Sequence, residues 1–132
     1  MAQKALGTKF VVGTYSVAEL NSIGGLDISA DTIEVTTFDD VDGYRKYIQG
    51  LKDAGEVALA GYFKPGDING QKALQTALDN GTLLSTAIQF PTALSCSWAF
   101  SSIVTGFSTG AELEEAVSFE ATLKVSGKPV LN

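Results

Sequence analysis

The chain has no histidine and a single cysteine among its 132 residues. These two shortages remove most catalytic chemistry at once. Zinc and haem sites of the usual kinds draw on His and Cys and cannot be assembled here. Cys96, in Leu-Ser-Cys-Ser-Trp, has no intrachain partner for a disulfide. As a nucleophile it would need a base, ordinarily His, so it reads as a small semi-buried residue on a strand. Proline is scarce too, with 3 residues against 14 glycines, and there is no proline-rich linker. No apolar run approaches the roughly 18–20 residues of a membrane-spanning helix. The N-terminus, Met-Ala-Gln-Lys-Ala-Leu-Gly-Thr-Lys-Phe, lacks the apolar centre of a signal peptide. The expectation is a chain made in a cytoplasm, with no membrane insertion. Positive charge is also short: 9 Lys and Arg face 15 Asp and Glu, a net charge of −6. Nucleic-acid binders carry a basic face, because released counterions supply much of their affinity. Here the only adjacent pair is Arg45-Lys46, so the chain should repel a phosphate backbone.

What is present points to strands. The length suits one domain with a real core. Val, Ile, Thr and Phe are frequent. Strand candidates fall at 9–15, at 17–23 (closed by Gly24-Gly25) and at 32–38, where Ile33 and Val35 alternate with Thr32, Glu34 and Thr36. Others fall at 55–63, where Val57, Leu59 and Phe63 share a face, and at 83–90, 95–107 and 114–125. The last has the clearest period of two: Val117, Phe119, Ala121, Leu123 and Val125 point in, and Ser118, Glu120, Thr122 and Lys124 point out. The core is expected around Val57, Leu59, Trp98, Phe100, Phe119 and Leu123, with Trp98 and Phe100 at its centre. One helix is predicted over 69–79. Asp67 or Asn69 caps it, Ala73, Leu74, Ala77 and Leu78 form its apolar stripe, and Asn80-Gly81 ends it. The tail at 127–132 is expected to fray. The fold class is therefore mainly β: one domain over 1–132, a two-sheet antiparallel β-sandwich or partial barrel. A flanking helix lies at about 69–79 and a long β-hairpin loop at about 37–54.

That loop is the oddest part of the sequence. Hairpin loops usually take 2–5 residues, and long loops in small domains tend to be functional. This one is acidic first (Asp39, Asp40, Asp42) and then basic and aromatic (Tyr44, Arg45, Lys46, Tyr47). Carboxylates are the only acid/base candidates, grouped there and at Glu112, Glu114 and Glu115. A calcium loop would need a downstream bidentate Glu, which is lacking. A glycosidase pair would need a groove that nothing here marks. No phosphate-cradling glycine loop precedes a helix. No catalytic residue, cofactor or metal is expected, and both acidic groups read as solvated surface.

Two runs carry a family resemblance. Residues 25–38 read Gly-Leu-Asp-Ile-Ser-Ala-Asp-Thr-Ile-Glu-Val-Thr-Thr-Phe. Residues 42–57 follow, with Gly-Leu-Lys-Asp-Ala-Gly at their centre. The succession resembles the major tail tube protein of long, flexible-tailed bacteriophages of the lambda-like group. The likeness is strongest over 23–63 and extends in organisation along the whole chain. It implies a structural virion protein and no enzyme: hexameric rings whose sheets join into an inner β-barrel, stacked into a hollow tube that delivers the genome. It implies assembly in the bacterial host cytoplasm. The implied partners are further copies of the chain and tape-measure, tail-tip and tail-terminator proteins, with DNA passing through without specific binding. Some relatives carry a C-terminal immunoglobulin-like domain, and none is expected here. In the family the long loop lies at ring-to-ring contacts. Its acids could then meet Arg45 and Lys46 of the next copy, with Tyr44, Tyr47 and Ile48 as buried anchors. Glu34, Glu56 and Glu120 are candidates for the lumen wall, where negative charge would keep DNA from sticking. The alternative reading is an immunoglobulin-like or fibronectin-like adhesion or carbohydrate-binding module, since fold alone does not set function.

Overall fold

Turn chemistry cuts the first predicted strand in two. In the computed structural model, which describes residues 6–24, 26–39 and 41–132, β1 (Lys9–Val12) reverses at Gly13, φ +63°, into β2 (Tyr15–Ser16). Val12 then lies opposite Tyr15. Glycine adopts that left-handed turn without steric cost. The chain continues through β3 (Leu20–Ile23), β4 (Ser29–Glu34), β5 (Tyr47–Asp53) and β6 (Glu56–Tyr62). After α1 (Gln71–Asn80) come β7 (Leu83–Gln89), β8 (Ser97–Gly110) and β9 (Ser118–Leu131). The Gly24-Gly25 turn lies partly outside the described residues, because Gly25 does.

Among the described residues, seven strands form one curled antiparallel half-barrel in the order β2-β1-β7-β8-β9-β6-β3. A separate two-stranded sheet holds β4 and β5. The curled sheet is two-faced, as the period of two in its strands requires. On the inner face Val57 and Leu59 of β6 meet Phe119, Ala121, Leu123 and Val125 of β9, all buried. Phe10 packs on Phe100 with ring centroids 6.3 Å apart, and Phe107 stacks on Phe119 at 5.8 Å. Burying each such side chain contributes about 1.5–3 kcal/mol. Trp98 is only half-buried and packs at the rim, so the centre belongs to Phe10, Phe100 and Phe119. Phe63, one residue beyond β6, is exposed.

Helix α1 covers this inner face with Leu74 and Ala77. It starts two residues later than the spacing predicts. The Asp67 carboxylate accepts the N–H of Gln71 (3.1 Å) and that of Ala18 (2.9 Å), so 68–70 stay a turn. Gly81, φ +67°, ends the helix by donating to Ala77 O. Buried Gln71 stitches three segments together. Its Nε2 donates to the carbonyls of Ala18 and Tyr62, both at 2.9 Å, and its Oε1 accepts from Lys64 N at 2.8 Å.

Two boundaries differ from expectation for the same reason, that backbone ladders form where side-chain patterns are weak. The tail does not fray: β9 runs to Leu131, with Leu131 opposite Trp98, and Asn132 N donates to Ser97 O at 2.8 Å. Pro129, which has no N–H to donate, falls in the register shift between Ala99 and Ser101, beside Gly127 at φ +88°. The second half of the long loop is likewise a strand. β5 pairs with β4 from Ser29↔Asp53 to Glu34↔Tyr47, and the connection shortens to residues 35–46. Its Tyr-Ile-Gln-Gly-Leu-Lys-Asp does not alternate because neither face of β5 is buried in the subunit.

Candidate assembly interface

Hydrogen bonds at its root fix the β4–β5 ribbon to the body. Gly55, φ +75°, turns the chain from β5 into β6, and its carbonyl accepts Val125 N at 3.1 Å. A Cβ there would stand a tight 3.1 Å from Asp27 O, and the positive φ would strain any other residue. Asp53 caps the turn: its Oδ1 accepts Gly55 N at 2.9 Å, and Lys124 Nζ on β9 reaches both carboxylate oxygens at 3.1 and 3.2 Å. The Gly55 N–H first, and then Lys124, hold the Asp53 carboxyl below the ordinary value.

Beyond the root the ribbon carries apolar side chains that the subunit does not bury. Ile33 lies opposite Ile48, and both are exposed, as are Val35, Tyr47 and Leu51. At the tip Phe38 is 109 % exposed and Val41 98 %. An isolated hairpin gains little from such a surface, and exposed apolar patches of this kind mark interaction sites.

The predicted loop residues divide among several positions. Asp39 and Asp42 are exposed at the tip, and Asp40 lies outside the described residues. Asp42 Oδ1 accepts Tyr44 N at 3.2 Å across Gly43, φ +79°, closing a tight turn. Arg45 Nε stands 4.0 Å from Glu34 Oε1 of the same ribbon, both side chains well exposed, a pair worth about 0–1 kcal/mol. Lys46 is tied into the ribbon backbone, donating its N–H to Thr36 Oγ1 (2.8 Å) and accepting Val35 N (2.9 Å). Tyr44 is exposed at the tip; Tyr47 pairs with Glu34 and Ile48 with Ile33. Asp39 and Asp42 form no metal-holding cluster among the described residues.

The three candidate wall acids are not brought together. Glu56 and Glu120 lie on the uncovered face of the curled sheet, Glu56 opposite Lys124 and Glu120 opposite Ala60 and Ser108. Their neighbours there are small: Ala58, Ser101, Gly106 and Thr122. Glu34 stands on the ribbon instead. Of the core candidates, Val57, Leu59, Phe100, Phe119 and Leu123 are buried, and Trp98 is half-buried.

Sequence reasoning passed over a cavity of about 600 Å³ at the ribbon's root. Ile28, Ala54, Val125 and Pro129 give it an apolar floor, and Lys52 and Lys128 line it with positive charge. The pairing of the tail with β8 brings Lys128 near Lys52, and from sequence that tail read as frayed.

The subunit is thus a curled sheet with one covered face, short edges at β2 and β3, and a projecting apolar ribbon. The chain is similar across its length to solved structures of that kind. It matches a chain of the virion of a native gene transfer agent particle with a TM-score of 0.82 at 17% identity, over 99% of both chains. It matches a chain of the PVC extracellular contractile injection system, in its sheath/tube terminator structure, with a TM-score of 0.77 at 19% identity, over 100% of this chain and 97% of that one. The SPP1 tail tube matches with a TM-score of 0.68 at 18% identity, over 98% of this chain and 79% of that one. No curated protein sequence matches significantly. The profile described as "Lambda phage tail tube protein, TTP" matches residues 10–132, and the chain belongs to that family. It is a structural tail tube protein of the phage virion, and the adhesion-module alternative is not favoured.

Proposed function

We propose that copies of this chain close into six-membered rings and that the rings stack, through their ribbons, into the hollow tube that conducts the genome. The observation that carries this reading is the ribbon, which leaves the subunit with its apolar residues exposed along its length and at its tip. Such a surface gains its stabilisation from another molecule, and a projecting element that fits a different patch on an identical copy builds open-ended stacks. Lateral closure uses the short edges, β2 at one end of the sheet order and β3 at the other. Pairing edge to edge removes the unpaired backbone groups that would otherwise aggregate. A gene transfer agent tail with a similar chain was refined with C6 symmetry, which supports six as the ring number.

Rings of this kind set the face opposite α1 toward the lumen. Glu56 and Glu120 then line the channel among alanines, serines and threonines, a wall with no basic patch to hold a phosphate backbone. The ends of the tube meet tape-measure, tail-tip and tail-terminator proteins, and the role is structural throughout. Negative-stain microscopy of concentrated protein tests the reading. Hollow tubes or six-fold rings are expected; a sample that stays monomeric at every concentration, and when seeded with tail tips, refutes it.

A further inference from the structure

The sequence suggests that the loop's acids meet Arg45 and Lys46 of a neighbouring copy, yet the Arg45 guanidinium already faces Glu34 of its own ribbon and Lys46 is not without a partner. The acids at the tip therefore need other cations. Lys52 and Lys128 qualify: neither side-chain ammonium has a hydrogen bond or ion pair among the described residues, and both line the cavity at the ribbon's root. The third lysine nearby, Lys124, is occupied by Asp53, and Asp53 is in turn neutralised by Lys124 and bonded to Gly55. The cavity thus presents a net positive rim around an apolar floor.

The tip has the complementary pattern. Val41 is almost wholly exposed, and Asp39 and Asp42 flank it in sequence. We infer that the cavity bounded by Ile28, Ala54, Lys52, Lys128, Val125 and Pro129 is the socket for the ribbon tip of a second copy. Val41 enters the apolar floor, while Asp39 and Asp42 meet Lys52 and Lys128. A volume of about 600 Å³ exceeds one side chain and suits a short chain segment. The charged rim sets register and encounter rate, and the apolar insert supplies the holding contact.

The geometry of the ribbon gives the contact a direction. Tip and socket sit at opposite ends of the same ribbon, separated by the pairs from Ser29↔Asp53 to Glu34↔Tyr47 and then by the connection. The five residue steps from Ser29 to Glu34 span roughly 17 Å, so each engagement displaces the next copy by at least that much along the ribbon. One copy cannot fill its own socket, and the contact is heterologous and non-closing. The inference rests on the stacked-ring reading and names the two patches that would join the rings.

Two variants test it. In a Cys96→Ser background, Val41→Cys with Ile28→Cys places one thiol on the tip and one at the socket. Oxidation at assembly concentration should give a ladder of disulfide-linked multimers on a non-reducing gel, and neither single variant should give more than dimers. Separately, Lys52→Glu with Lys128→Glu should raise the concentration needed for tube formation roughly tenfold or more. Adding Asp39→Lys and Asp42→Lys to the same chain should restore it. A ladder with charge-swap rescue supports the socket. Tubes without a ladder, or tubes indifferent to the lysine swap, overturn the socket and leave the tube reading standing. A ladder without tubes keeps the socket and sinks the stacked-ring reading. The absence of both overturns the two together.

Discussion

Replacing Gln71 with leucine should cost this subunit more than most core truncations, although leucine is close in size and more apolar. Gln71 is 1 % exposed and holds three backbone groups: Ala18 O, Tyr62 O and Lys64 N. These belong to the β2–β3 connection, the end of β6 and the segment leading to α1. Leucine removes every partner at once. Each ordinary hydrogen bond is worth about 0.5–1.5 kcal/mol net, and each buried group left unpaired costs about 1–3 kcal/mol. The sites are only partly buried, so water recovers some of the loss, and about 2–4 kcal/mol remains. For a domain of this size 1 kcal/mol moves the melting temperature by about 3–5 °C, so a fall of roughly 6–20 °C is expected. The assay is a far-UV circular dichroism melt with a parallel urea titration, run below the assembly concentration so that association does not add stability. Gln75→Leu is the internal control: among the described residues the Gln75 amide bonds Asp79 alone, at 2.6 Å on the helix surface, and its loss should shift stability by about 0.5 kcal/mol or less. A Gln71→Leu protein melting within a degree or two of the parent would refute the idea that this amide organises the start of α1.

Two further outcomes follow from the ribbon root. Asp53 has its carboxyl lowered by the Gly55 N–H and by Lys124, so the ionised form is favoured in the folded state. Its contribution is present above the unfolded carboxylate value of about 3.9 and disappears as the pH falls through the lower folded value. Carboxyl NMR titration of Lys124→Met should show Asp53 moving up part of the way, because the Gly55 hydrogen bond remains; no movement would remove Lys124 from the account. Gly55→Ala should destabilise by about 1–2 kcal/mol through its positive φ and the close Asp27 carbonyl, whereas Gly66→Ala, in open space, should be near neutral in the same urea titration.

The sequence revealed those parts of the fold where burial is one-sided. β9 is the clearest case: Phe119, Ala121, Leu123 and Val125 alternate with outward polar residues and are buried, while Val117, expected to point in with them, lies before the strand and is exposed. The helix stripe and its glycine stop were legible for the same reason, since a period of 3.6 and a left-handed cap leave local marks. β5 was not legible, because a strand with both faces in solvent has nothing to alternate. The docking of 127–131 on β8 was hidden by Gly127 and Pro129, which read as a stop and act as an irregularity inside a ladder. Trp98 looked central by size alone, while its position at the start of β8 places it at the rim. The candidate site was legible as an unusual loop with a charge order. What it faces was not, because Lys52 and Lys128 are 76 residues apart (128 − 52) and meet only through the final strand.

The ribbon and the curled sheet share a root and little else, which makes them two thermodynamic units. The sheet has a common hydrophobic core and opens as a whole; the ribbon, with few buried apolar groups, opens locally at much lower free energy. Amide hydrogens in β4 and β5 should therefore exchange while those in β6, β8 and β9 remain protected. A melting curve reads only the sheet. On the stacked-ring proposal the conformational freedom of the ribbon is surrendered later, when a neighbouring copy orders it, so that entropy enters the free energy of association instead of the free energy of folding.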